Sequence, residues 1–359
     1  MKTGTVFGKL VCLLLVLLLL PVSVFAEADE LTPQEIPEGF EPSDPSAQGD
    51  DEGSFGASTG LPGMSKENFS ADELPDGYLD PCDQPGRVEK VRYTYRTSEG
   101  KQVKIATVYL PCGYDDNEDK YNVLYILHAS GGKPQNYLNP EKETDFSNLL
   151  DHMIANGDVK PLIVVAATYY PTESFIKYMP LDKQVESIAD FPQEMVEGII
   201  PAVEKDYRVW AESLDIEGII ASRSHRGVAG FSLGGVATWN IFQQEMRAFR
   251  WFLPISEASW SDAEGGTSGI WDSDVSAQVL YDAVLSQGYD KDGFRLFVAT
   301  GTDDEAFSVS TSQMVSLLEY NDIFVTGENT SCSMMSGGTH TMSAVYTYLY
   351  FILPALFVD

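Results

Sequence analysis

The sequence predicts an α/β fold, a doubly wound and mostly parallel sheet sandwiched between helices in three layers, with antiparallel strands at its N-terminal edge. Two observations carry this. From Cys82 onward, short β-branched or aromatic runs ending in Gly or polar residues alternate with amphipathic stretches of helical period. The first two runs instead follow one another directly across Ser98-Glu99-Gly100, a turn signal that makes them a hairpin. The runs are 88–96 and 103–110, then 123–127, 162–167, 227–231, 251–255 and 294–299, with a last strand within 323–335. Helical patterns occupy 146–155, 185–203, 233–249, 275–286, 309–320 and 343–357. In such a sheet, ligands sit at the carboxyl ends of the strands, so a reactive side chain is expected there.

The 359 residues divide into three parts. Lys2 and Lys9 precede an apolar run at 10–20, and Val24-Phe25-Ala26 fits a signal-peptidase site, so residues 1–26 are expected to be a signal peptide cleaved after Ala26. The run is about half of the ~20 residues a membrane helix needs. Cys12 lies inside it rather than after a cleavage site, which disfavours a lipid anchor. Residues 27–80 are rich in Pro, Gly, Ser, Asp and Glu and read as a disordered acidic linker. Residues 81–359 form the folded domain, and the apolar stretch 346–358, interrupted by Pro354, reads as a buried final helix. A secreted protein acting outside the cytoplasm is expected.

A net charge of −31 argues against nucleic acid and anionic membranes as partners and suits a neutral substrate. Past the signal, three cysteines remain, with no CxxC or Cys/His cluster, so neither a metal nor another cofactor is expected. The hairpin brings Cys82 and Cys112 toward each other, and in an oxidising compartment a Cys82–Cys112 disulfide is expected, leaving Cys332 as a buried thiol. The sequence is silent on oligomeric state.

Gly230-Phe231-Ser232-Leu233-Gly234-Gly235 matches G-x-S-x-G, a weak pattern alone but specific between a predicted strand and a predicted helix. The glycines suit a sharp strand-to-helix turn that lifts Ser232 to the strand end, and the helix start favours developing negative charge. A serine hydroxyl needs a base to take its proton. Of four histidines only His340 follows Ser232, in the loop Gly337-Gly338-Thr339-His340, and it is the expected base. The acid that orients it is sought after strand 294–299, in Thr300-Gly301-Thr302-Asp303-Asp304-Glu305. Asp304 is preferred over Asp303 and Glu305, and all three over Asp262, Asp272 and Asp274 in another loop. Two backbone N–H groups should hold an oxyanion: Leu233, after the nucleophile, and Ser130, in His128-Ala129-Ser130-Gly131-Gly132. His128 is expected to position that loop without taking part in chemistry. Trp260 and Tyr169, with Tyr170 beside it, follow strands at the active end and are candidate substrate contacts.

With these residues placed, 82–358 resembles the esterase D-type α/β hydrolases, especially the feruloyl and acetyl xylan esterases of carbohydrate esterase family 1. The likeness rests on 121–128 with Gly131-Gly132, on 160–165, on Gly198-Ile199-Ile200-Pro201, on 226–235, on Gly301-Thr302-Asp303-Asp304 and on 337–340. It implies an α/β-hydrolase fold, a Ser232–Asp304–His340 triad with Ser130 and Leu233 as oxyanion donors, and metal-free removal of feruloyl or acetyl groups from plant cell-wall polysaccharide through an acyl-enzyme. One position departs: the family has glycine where this chain has Ala129, whose methyl is expected to restrict the loop or narrow the acyl pocket. An inactive polysaccharide-binding protein of the same fold and an acyltransferase are the alternatives.

Overall fold

A computed structural model of the chain describes residues 68–97, 100–171 and 180–358. The expected signal peptide and most of the expected linker lie outside these residues, as does the hairpin tip Ser98-Glu99.

Among the described residues, nine strands form one sheet in the order β1-β9-β8-β7-β6-β4-β5-β3-β2. They are β1 Asn68–Ser70, β2 Arg87–Thr97, β3 Gly100–Leu110, β4 Val123–Leu127, β5 Ile163–Ala167, β6 Arg226–Phe231, β7 Trp251–Ile255, β8 Arg295–Gly301 and β9 Thr330–Ser336. β2 pairs antiparallel with β3, and β3 antiparallel with β5; every other pairing is parallel. β4, β5, β6 and β7 are buried along their whole length, as parallel strands covered on both faces must be. β2, at the sheet edge, alternates and carries its charges outward.

The helices are α1 Asp145–Ala155, α2 Leu181–Glu194, α3 Ile200–Glu204, α4 Ile216–Ala221, α5 Leu233–Glu245, α6 Ser273–Ser286, α7 Phe307–Glu319 and α8 Met342–Ile352. α1 and α8 close one face of the sheet with Phe146, Leu149, Val345 and Leu349. α2, α3, α5, α6 and α7 close the other with Ile188, Phe191, Trp239, Leu280 and Leu317. Chain order runs outward from β6 through β7 and β8 to β9, while β4 is followed by β5 on its other side, so β4 and β6 are neighbours at the point where the winding reverses. Their carboxyl ends flank the crevice where this class of sheet places its ligands.

Three expectations need correction. The helix expected over 185–203 begins at Leu181 and widens into a π-turn at Met195–Ile199, three residues beyond Pro192, which can donate no backbone hydrogen bond. The linker stops short of residue 80. Phe69, 4 % exposed, stacks on Phe351 with ring centroids 4.3 Å apart, so Asn68–Ser70 adds a parallel strand to β9 and covers an otherwise open edge. The Cys82–Cys112 bond is not formed: both residues carry free thiols. The segment before β2 is held by α1 instead, through Asn148 Nδ2 to the Leu79 carbonyl at 2.8 Å and Gly86 N–H to Asp151 Oδ1 at 2.6 Å. Cys332 is half-buried on β9 and packs against the core.

Candidate active site

Ser232 stands between β6 and α5 with φ 56° and ψ −124°, a conformation that costs a non-glycine residue about 1–3 kcal/mol. The turn is held on both sides: Ser232 N–H donates to the Ile255 carbonyl at 2.9 Å, and Gly235 and Val236 N–H donate to the Ser232 carbonyl. It has no room for side chains at two of its glycines. A Cβ on Gly230 would lie 2.1 Å from the Gly234 carbonyl oxygen, and one on Gly234 would lie 2.4 Å from the Leu127 oxygen and 2.7 Å from the His128 oxygen. The close approach at Gly234 seats the start of α5, with Leu233, against the loop leaving β4.

His340 lies between β9 and α8, and its Nδ1 is 2.8 Å from Asp304 Oδ1, in the loop after β8. A carboxylate can only accept, so Nδ1 carries the proton and Nε2 is the basic nitrogen. Phe231, the residue before Ser232, packs its ring on the His340 ring at 4.6 Å. The Asp304 side chain is fully buried, whereas Asp303 and Glu305 are exposed, which separates the three carboxylates the sequence left in competition. Burial alone would raise the Asp304 carboxyl, but the hydrogen bond from His340, the Ala306 N–H at 2.8 Å and the nearby imidazole outweigh it and hold it below the usual range. Burial likewise works against a charged His340, and Asp304, with smaller contributions from Glu305 and Glu257, reverses this and lifts the imidazole above its ordinary value.

The loop after β4 is built around His128, 1 % exposed and lowered to about 4 by burial, hence neutral. Its Nδ1–H donates to the Ala129 carbonyl at 2.9 Å, so Nε2 accepts from the Thr168 hydroxyl at 2.7 Å. Gly131 N–H donates to Tyr170 Oη at 2.7 Å; Tyr170 Oη–H and Ser130 Oγ–H both donate to Gln184 Oε1 on α2. Gln184 was not legible as a site residue, because nothing in the sequence pairs α2 with this loop. The Ala129 methyl places no backbone strain on the loop. The left-handed conformation falls on Gly131, with φ 70°, and Ala129 is not among the residues with positive φ.

The aromatic expectations divide. Tyr169 is 2 % exposed, its hydroxyl donates to the His128 carbonyl at 3.0 Å and its ring packs on His128, so it supports the loop from within the core and is not a substrate contact. Trp260 is half-buried, packs partly on the core and keeps its indole nitrogen beside the Glu257 carboxyl. Glu257 itself is raised by burial despite the Ala258 N–H at 3.1 Å. Asp262 organises its own loop by accepting from Gly266 N–H and the Ser268 hydroxyl, and Asp272 caps α6, so neither serves His340. Among the described residues no group of three or more His, Cys, Asp or Glu side chains could hold a metal ion.

Residues 98–341 match the model of the esterase family. The chain is 34 % identical over 288 residues to endo-1,4-beta-xylanase Y of Acetivibrio thermocellus, an alignment covering 79 % of this chain and 24 % of that protein. It therefore spans about a quarter of the length of that relative. It is similar to the feruloyl esterase module from Clostridium thermocellum, solved as a serine-to-alanine mutant complexed with sinapinate, with 31 % identity and a TM-score of 0.68 over 81 % of this chain and 95 % of that one. A ferulic acid esterase from the anaerobic fungus Anaeromyces mucronatus shares the fold, with a TM-score of 0.60 at 19 % identity over 81 % of this chain and 98 % of that one. A match across more than half of the chain, on an α/β-hydrolase sheet, makes this protein a member of the esterase family.

Proposed function

We propose that the protein is a secreted esterase that removes acyl groups, feruloyl or acetyl, from plant cell-wall polysaccharide, with Ser232 as nucleophile, His340 as base and Asp304 as the acid that orients it. The observation that carries this is the 2.8 Å Nδ1–Asp304 hydrogen bond of a histidine whose ring packs on the residue preceding a strained serine. The names of the relatives, a xylanase and a feruloyl esterase module bound to sinapinate, support the substrate class.

In this reading His340 Nε2 takes the Ser232 proton as Oγ attacks the ester carbonyl. The negative charge that develops is met by the Leu233 and Ser130 N–H groups at the start of α5 and in the loop after β4. The protonated imidazole, stabilised by Asp304, returns the proton to the departing sugar oxygen, leaving the acid bound to Ser232 as an ester. Water, deprotonated by the same Nε2, then attacks that ester, and Ser232 leaves with the proton. Trp260, half-exposed beside Glu257, is the aromatic surface we assign to the acyl group or sugar.

Incubation with feruloylated arabinoxylan and with acetylated xylan, followed by identification of the released acid, tests the proposal. Wild-type protein should release ferulate or acetate and Ser232→Ala should release neither; release by Ser232→Ala at the wild-type rate would refute the role of Ser232.

A further inference from the structure

Three buried polar atoms behind the Asp304–His340 pair have no hydrogen-bond partner of regular geometry: Asp304 Oδ2, Ser256 Oγ and Tyr348 Oη. They lie together. The Ser256 side chain sits against both the Asp304 carboxyl and the Tyr348 hydroxyl, and the tyrosine feels the carboxylate charge. Ser256 and Tyr348 are each 0 % exposed. Ser256 thus stands between two other buried polar groups without a partner, a costly arrangement unless the three are used together.

Ser256 has a second peculiarity. It follows β7 as Ser232 follows β6, and it too has positive φ, 53°, one of three non-glycine residues among those described to do so. Its N–H donates to the Ala299 carbonyl on β8 at 2.7 Å, which pins it beside the strand that leads to Asp304. A serine held in a left-handed conformation, where glycine would be relaxed, points to a use for its hydroxyl.

We infer that Ser256 and Tyr348 are positioning residues for ester hydrolysis, Tyr348 donating to Ser256 and Ser256 donating to Asp304 Oδ2, so that Oδ1 is left to His340 and the Ala306 N–H. Two donors and one carboxylate oxygen close the chain with every proton used. The inference rests on Asp304 being the acid of the proposed site. The other titratable groups around it are His340 on the loop before α8, Glu257 after β7 and Tyr348 on α8, with Glu305 beside His340. Removing the Ser256 hydroxyl leaves the Asp304 charge less shared, so it holds the His340 proton more tightly while orienting it less well.

The test measures kcat, KM and the pH profile of hydrolysis of a small soluble acyl ester by Ser256→Ala, Ser256→Gly and Tyr348→Phe, with thermal melting as the check on folding. Ser256→Gly removes the hydroxyl and relieves the backbone, so it should fold at least as well as wild type. All three should lose kcat, by about ten- to a hundredfold for the Ser256 variants, as for one hydrogen bond to a charged group, with KM held within about twofold. The acid limb of the Ser256 variants should also move to higher pH. Wild-type kcat and acid limb in Ser256→Gly and Tyr348→Phe would overturn the inference, as would a kcat loss with an unmoved acid limb. Asp304→Asn separates the two levels: if it alone is impaired, only this inference fails, and if it is unimpaired, the assignment of Asp304 fails first.

Discussion

Replacing Asp304 by Asn keeps the shape of the acid and removes its charge. Asn can accept the Nδ1 proton only through its oxygen, and its amide face would present a donor that stabilises the wrong tautomer of His340. The structure sets the size of the loss. The carboxylate is fully buried at 2.8 Å from Nδ1, so the imidazolium formed in the transition state has this anion as its closest countercharge. At about 4 Å between charge centres and an effective dielectric of about 20, that interaction amounts to ~4 kcal/mol. Since each ~1.4 kcal/mol is tenfold in rate, kcat should fall by about a thousandfold, and more where the tautomer is also wrong. The assay is steady-state hydrolysis of a chromogenic acyl ester, with far-UV circular dichroism and melting to verify the fold. KM should change little, because the interaction is made in the transition state. A folded Asp304→Asn enzyme with kcat within about tenfold of wild type would refute this electrostatic reasoning.

Four further outcomes follow from the structure. The acid limb of kcat/KM should lie above the ordinary histidine value of about 6.5, because Asp304 raises His340; a limb below it would contradict this. The pair also sets a stability window: the raised His340 contributes fully below about 6.5 and its contribution is lost as pH rises through its folded value, while the lowered Asp304 contributes above about 3.9 and its contribution is lost as pH falls through its folded value. Denaturation of Asp304→Asn against pH should lack both flanks. Gly234→Ala should lower stability by about 1–3 kcal/mol and cut kcat, since its methyl meets the Leu127 and His128 carbonyls and must push α5 away from the loop after β4; an unchanged midpoint in urea would show that the contact yields. Phe69→Ala should cost about 3 kcal/mol, because Phe69 is 4 % exposed and stacked on Phe351, and should leave kcat of the molecules still folded intact.

Much of this was legible in the sequence wherever one physical rule acted alone. The strands at 123–127 and 251–255 fall where their apolar runs begin and end, because polar or glycine residues bound them on both sides. Ser232 stands out as a candidate because a glycine-rich turn between a strand and a helix has few uses, and His340 because no other histidine follows Ser232. What stayed hidden depends on partners distant in the chain. β1 is three residues long, too short for any periodicity, and exists because β9 offers it an edge and Phe351 offers Phe69 a ring. The sequence prefers Asp304 but leaves Asp303 and Glu305 in competition; burial and the hydrogen bond to His340 set Asp304 apart. Tyr169 follows its strand as a substrate contact would, but the His128 carbonyl claims its hydroxyl. Gln184, Ser256 and Tyr348 carry no motif at all and become visible only through the groups they face.

The most direct test of the central assignment is mass-spectrometric mapping of a fluorophosphonate adduct on the folded protein. One label per chain on the peptide carrying Ser232 is expected, absent in Ser232→Ala and strongly slowed in His340→Ala. A label on another residue, or ester hydrolysis that persists while Ser232 stays unlabelled, would contradict it.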